Sequence, residues 1–167
     1  MQVTTDAIRA LREQSGAGIM DCKRALEETN GDVDKAQDFL REKGVAKAAQ
    51  KASRETGQGL IEAYVHSGNR IGAIIEVNCE TDFVARSPVF RELAHNLAMQ
   101  VAAMAPVHIS QEEVPPEDKR DPKEICLLQQ PFIKDPSTLI NDLITSIIST
   151  TGENIRVRRF TRFALGE

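Results

Sequence analysis

Cysteine is scarce in this chain and poorly spaced for chemistry. Cys22, Cys79 and Cys126 are the three in 167 residues. Being odd in number, far apart and without a Cys-x-x-Cys pair, they point to neither a disulfide framework nor a zinc site, and they suit a reducing cytoplasm. Long apolar runs are missing as well. No stretch approaches the ~20 apolar residues of a membrane span, and Met1 to Ala10 carries Asp6 and Arg9 where a signal peptide needs an apolar segment. The expectation is a cytoplasmic chain without a membrane partner. There is no glycine-rich phosphate loop of the Walker or dinucleotide type, and His66, His95 and His108 stand at no mutual spacing that would build a metal site. A strong positive charge is absent too: 21 basic and 25 acidic side chains leave a formal charge of −4. That argues against a dedicated nucleic-acid binder, whose affinity comes largely from neutralised phosphates.

What is present is an ordinary globular composition, with 41% hydrophobic and 28% charged residues, enough to bury a core. Residues 4 to 45 read as three short helices. The first is capped by Thr4 or Thr5, pairs Ile8 with Leu11 and stops at Ser15-Gly16-Ala17-Gly18. The second sets Ile19, Cys22, Ala25 and Leu26 along one face and ends at Asn30-Gly31. The third is capped by Asp32, repeats Val33, Ala36, Gln37 and Leu40, and is expected to close at Gly44. Residues 46 to 58 read as a partly helical basic linker, with Lys43, Lys47, Lys51 and Arg54 at helical spacing. That stripe either touches an acidic or phosphate surface or is simply a solvated connector.

Residues 59 to 167 change character. Gly59 to His66 and Arg70 to Asn78 alternate, with Ile61, Ala63 and Val65 on one face and Ile71, Ala73, Ile75 and Val77 on another, joined by Ser67-Gly68-Asn69 as a hairpin. Ser87-Pro88 opens a helix with the stripe Phe90, Leu93, Ala94, Leu97, Val101 and Met104, ended by Pro106. Residues near 107 to 124 are an exposed connection. Asp135-Pro136 is expected to open a further helix along Leu139, Ile140, Leu143, Ile144, Ile147 and Ile148. Asn154 to Leu165 reads as a strand whose alternation slips near Arg158-Arg159, as a bulge would make it do. The fold class is therefore α+β, a three-helix module followed by a domain with a three-stranded antiparallel sheet covered by helices.

Chemical candidates are few. Cys79 beside Glu80 and Asp82 lacks the base and oxyanion site a nucleophile needs. Asn30-Gly31-Asp32 starts like a calcium loop but the later spacing is wrong. Met20 lies about 100° round the second helix from Ile19, off the apolar stripe, and should face outward. Phe83, between a strand and a capped helix, reads locally as a core ring.

Four stretches, in order, carry a resemblance. They are Leu11-Arg12-Glu13 with Ser15 to Leu26; Glu76-Val77-Asn78-Cys79-Glu80-Thr81-Asp82-Phe83-Val84-Ala85; Gln130-Pro131-Phe132-Ile133-Lys134-Asp135; and Gly152-Glu153-Asn154-Ile155 to Arg158-Arg159-Phe160. With these the chain resembles bacterial elongation factor Ts over nearly its whole length. The resemblance implies that residues 1–45 form a ubiquitin-associated-like module and 59–167 a core domain of the short form, with one core subdomain. It implies an exchange factor and not an enzyme. Such a factor carries no cofactor or metal of its own and promotes GDP release from the GTPase elongation factor Tu. Arg12, Ile19 and Met20 would contact the partner from the module. Thr81, Asp82, Phe83 and Val84 would dislocate the partner's magnesium, which reverses the local reading of Phe83. A homodimer forming a two-plus-two complex is the expectation for a short form, without specific nucleic-acid binding. The stretch between Pro106 and Cys126 is shorter than in relatives. The alternative is a module that binds a peptide or the ribosome without driving exchange, using the linker cations and Arg156, Arg158, Arg159 and Arg162.

Overall fold

The computed structural model describes residues 3–167. The chain divides into two compact units, residues 1–53 with 145–153, and residues 54–144 with 154–167. It is mixed helix and sheet.

In the first unit, α1 (Thr5–Ser15) begins where the Thr4 hydroxyl accepts the Ala7 N–H and ends at Gly16, whose φ of 66° places it in the left-handed region. The second helix, α2 (Ile19–Glu28), is followed by Asn30 and Gly31, both at positive φ. The third, α3 (Val33–Lys51), starts where the Asp32 carboxylate accepts the Lys35 N–H. That bond, with the Lys35 ammonium, holds the Asp32 carboxyl below its usual range. Leu11, Cys22, Ala25, Leu26 and Ala36 form the core, flanked by Val3, Ile8, Val33, Phe39 and Leu40. Ile19 is not part of this face. It is 55% exposed, because the first residue of α2 precedes the turn that packs.

Gly44 does not end α3, which runs on to Lys51. Gly44 is buried, and a Cβ there would sit 3.5 Å from Thr145 Cγ2. That is an ordinary van der Waals contact, so nothing at this helical position calls for a stop, and Val45 to Lys51 supply mostly strong helix formers that carry the helix on. Among the described residues, three of the stripe's four cations find intramolecular partners: Lys43 lies over the Phe39 ring, Lys47 pairs with Asp21 at 3.1 Å, and Arg54 lies 3.5 Å from Glu80.

In the second unit, β1 (Gln58–Val65) and β2 (Ile71–Cys79) form the hairpin, with Val65 opposite Gly72 and Gln58 opposite Cys79. The turn uses Gly68 and Asn69 at positive φ. Gly59 is obligatory, since a Cβ would fall 2.1 Å from the Val77 carbonyl oxygen. Strand β5 (Ile155–Ala164) pairs antiparallel with β2, giving the order β1-β2-β5. Its register shifts between Glu76 opposite Arg159 and Val77 opposite Val157, so Arg158 is the extra residue. This is the bulge that the slipped alternation predicts.

After β2 comes a single turn, α4 (Asp82–Ala85), then α5 (Pro88–Met104), capped by Ser87 and packed against β1 and β2. Phe90, Leu93, Ala94, Leu97 and Val101 are buried against Ala73, Ile75, Val77 and Cys79, whereas Met104, at the helix end, is exposed. On β1, the side chains facing α5 are the half-buried Leu60, Glu62 and Tyr64, with Glu62 bonded to His95 at 3.0 Å. Ile61 and Val65 lie on the uncovered face, joined there by Ile74 and Phe163.

Residues 107–121 run exposed to α6 (Pro122–Ile125), with an Arg120–Asp118 ion pair that holds the Asp118 carboxyl down at about 2. Asp135-Pro136 does not open a helix. It begins β4 (Asp135–Leu139), which pairs with β3 (Pro131–Phe132), and α7 (Ile140–Thr151) starts five residues after Asp135. The reason is local: the Asp135 carboxylate accepts from Ser137 N–H and from the hydroxyls of Ser137 and Thr138, closing a side-chain turn. Buried Gln100 and Gln130 fix the preceding motif. Gln100 Nε2 donates to Gln130 Oε1 and to the Pro131 carbonyl, its Oε1 accepts from Ile133 N–H, and Gln130 Nε2 donates to the Glu124 carbonyl.

Candidate partner-binding sites

The segment Thr81-Asp82-Phe83-Val84 forms the corner between β2 and α5. Thr81 is extended and its hydroxyl accepts the Val84 N–H at 3.3 Å, so the turn has a proper N-cap. Val84 and Ala85 are buried and root the turn, while Ser87 closes it by donating its hydroxyl to the Val84 carbonyl at 2.7 Å. Ser87 also caps α5, so one side chain serves both helices.

This scaffold leaves Phe83 at 83% relative exposure, the highest value among the described large hydrophobic side chains. The local expectation of a core ring is thereby corrected. Within a one-turn helix, Val84 and Ala85 take the inward direction, and Phe83 is carried outward by the roughly 100° step per residue. Exposing so large a ring forgoes about 2 kcal/mol of burial. Beside it, the Asp82 carboxylate pairs with Arg86 at 3.0 Å, one turn along, with both side chains largely exposed. Sequence reading had not singled out Arg86, although its i,i+4 spacing from Asp82 is visible. An open depression of about 510 Å³, lined by Gln58, Gly59, Glu62, Asp82, Arg86 and Arg91 among others, adjoins the turn.

The second set of residues lies in the other unit. Arg12 is exposed in the last turn of α1, and Ile19 and Met20, at 55% and 67% exposure, occupy the first turn of α2. The short connection 16–18 joins those turns. It is held by Gly16 N–H on the Arg12 carbonyl, Ala17 N–H on the Ser15 hydroxyl, and the buried Cys22 thiol directed at the Ala17 carbonyl. Met20 thus faces outward as its helical position requires. Among the described residues no group of three or more His, Cys, Asp or Glu side chains is placed to hold a metal ion, and no helix is long and apolar enough to cross a membrane.

Relatives give this arrangement a context. The sequence profile of the family described as Elongation factor TS matches residues 20–121, a span that includes Met20 and the Thr81–Val84 turn. The Elongation factor Ts of Thermotoga maritima is 48% identical over 100% of this chain and 98% of its own length. The chain belongs to the elongation factor Ts family. Elongation factor Ts of Carboxydothermus hydrogenoformans is 46% identical, covering 99% of this chain and 90% of that protein. The Moorella thermoacetica protein of the same name is 47% identical over 96% and 94%. Membership makes the chain an elongation factor of translation. The Thermotoga alignment extends over 195 positions for a chain of 167 residues, so the relative holds residues with no counterpart here, in keeping with a shortened form.

Proposed function

We propose that this protein binds elongation factor Tu in its GDP-bound state and promotes release of GDP, with Asp82 and Phe83 as the intruding pair. The observation that carries the reading is the 83% exposure of Phe83 on a turn whose two ends are capped and whose next residues are buried. A GTPase holds its nucleotide through magnesium and through loops ordered around the phosphates. A rigid ring pressed between the elements carrying those loops draws magnesium ligands away, and the neighbouring Asp82 acts on the same region. Covalent chemistry has no part in this, so the protein acts as a factor and not as an enzyme. Release of GDP leaves the site open to GTP in the cytoplasm, and the partner's nucleotide equilibrium is unchanged.

Coupling sets the scale. Weakening nucleotide binding a thousandfold takes about 4 kcal/mol, and reciprocity requires the nucleotide to weaken binding of the factor equally. One exposed ring does not supply this, which supports a second docking set, Arg12, Ile19 and Met20. Release of fluorescent GDP from elongation factor Tu, with and without micromolar protein, tests the reading. Acceleration is expected, and an unchanged rate overturns it.

A homodimer follows in the same reading, giving a two-plus-two complex. Its support is the uncovered face of the sheet, where Ile61, Ile74 and Phe163 are 66%, 48% and 69% exposed around a depression of about 360 Å³. Two such faces pack as a sandwich about a twofold axis. Ile74→Asp should turn the dimer into a monomer in sedimentation velocity, and an unchanged dimer would remove this face from the assembly.

A further inference from the structure

Phe83 is 83% exposed, so its direction is set chiefly by the backbone that carries it, and the incoming side of that backbone is held by a distant contact. Glu80 precedes the turn, and its side chain is only 22% exposed. Its Oε1 accepts the backbone N–H of Asn154 at 2.6 Å, a residue 74 positions away. The same oxygen lies 3.5 Å from Arg54 Nη1. Asn154 is 3% exposed, and its Nδ2 donates to the Arg54 carbonyl at 2.9 Å. One residue earlier, the buried Cys79 thiol donates to the Thr81 carbonyl at 3.1 Å. A short bond from a backbone N–H to a carboxylate is charge-assisted and stronger than a neutral one. Three chain segments, the end of the linker at Arg54, the exit of β2 at Glu80 and the entry to β5 at Asn154, therefore meet directly behind the turn.

We infer that Glu80 and Asn154 are positioning residues for the Thr81–Val84 turn: they lock the direction in which Asp82 and Phe83 are presented, without themselves forming the exposed tip. The inference rests on the exchange reading and names how that site is held. A site works when its exposed groups are kept within about 0.5 Å of the productive geometry by residues behind them. Preorganisation also removes the ordering cost from the binding step. Glu80 is suited to this because both its charge and its geometry are engaged inward. A carboxylate so occupied adds rigidity to the corner without adding a free charge to the docking tip.

The sequence permits a direct test, because the chain has no tryptophan. Phe83→Trp places a single indole at the tip, and its time-resolved anisotropy reports motion of the turn in the isolated protein. In that background Glu80→Ala should increase the amplitude of local motion clearly, and Glu80→Gln, which keeps an acceptor oxygen, should restore most of the order. Asn154→Ala removes the side-chain bond to the Arg54 carbonyl but keeps the backbone N–H that Glu80 accepts, and it should fall between them. In the native background, Glu80→Ala should slow GDP release about tenfold, Glu80→Gln about threefold or less, and Glu80→Ala combined with Phe83→Ala should be no slower than Phe83→Ala alone, since coupled residues are not additive. Unchanged anisotropy in Glu80→Ala, or independent multiplication of the two rate effects, overturns the inference. Should Glu80→Ala fail to fold, Glu80→Gln and Asn154→Ala carry both readouts. If Phe83→Ala leaves GDP release untouched, the exchange reading of the turn fails, while the anisotropy still decides whether the clamp exists.

Discussion

Phe83 and Met20 are both large, apolar and exposed, yet they are supported in opposite ways. Phe83 stands on a turn capped by Thr81, closed by Ser87, rooted through Val84 and Ala85 and backed by Glu80. Met20 stands on the first turn of a helix whose N-cap is Gly18, with no side-chain capping bond, over a core of five buried residues. The ring has two stiff torsions and the thioether three free ones. The first arrangement suits a wedge that must not yield, and the second suits a grip that adapts to whatever it meets.

The largest way to disturb this contrast is at the small core. Leu26 is fully buried there, and Leu26→Ala should cost about 2–5 kcal/mol. Because the core is so small, thermal unfolding should lose the first unit's helices before the sheet. A single shared transition, unmoved by the substitution, would show that the module draws its stability from elsewhere. Next comes Phe83→Ala, expected to lower the exchange rate about a hundredfold, equivalent to ~2.7 kcal/mol, with an unchanged melting temperature. A fall in melting temperature would mean that the ring stabilises the fold after all. Met20→Ala should weaken partner affinity by about fivefold, roughly 1 kcal/mol, while Met20→Leu should be nearly neutral if adaptable apolar contact is what matters. Equal losses in both would point to a specific sulfur contact and blur the contrast with Phe83. The smallest effect concerns pH. The Asp32 carboxyl that caps α3 titrates below its usual 3.8 in the folded chain. Its stabilisation is therefore complete above that value and is lost as pH falls through the lowered pKa. Asp32→Asn keeps the cap and should flatten the acid limb of helicity followed by circular dichroism.

Local chemistry made much of this legible. Thr4, Asp32, Ser87 and the glycine at position 16 marked helix ends because capping is a matter of neighbouring residues. The bulge at Arg158 showed as a slip in a period of two. Where two local uses of one residue compete, the reading failed. Asp135 before Pro136 has the form of a cap, but Ser137 and Thr138 offer it a turn instead. Gly44 has the form of a stop, but the helix formers from Val45 to Lys51 carry α3 through it. The same limit applied at the site. Met20 followed from helical angle alone, whereas Phe83 by pattern belonged in the core, and only resemblance pointed outward. Glu80 stayed invisible because its partner is 74 residues away. Nor does alternation say which side of a sheet will be covered, so the exposure of Ile61, Ile74 and Phe163 was not foreseeable from spacing.

The extra residue at Arg158 has a genetic corollary. Downstream of it Phe160 stands opposite Ile75, Arg162 opposite Ala73 and Phe163 opposite Gly72, with Arg162 donating to the Ala102 carbonyl of α5 beneath the sheet. Loss of that one codon would make Val157 and Arg159 consecutive opposite Val77 and Glu76, a plain two-residue period that keeps every later side chain on its present side. Phe163 would stay on the uncovered side and Arg162 on the side of α5. An in-frame deletion of three nucleotides at this position should therefore be better tolerated than one elsewhere in β5, which would keep the bulge and exchange the sides of the side chains beyond the lost residue.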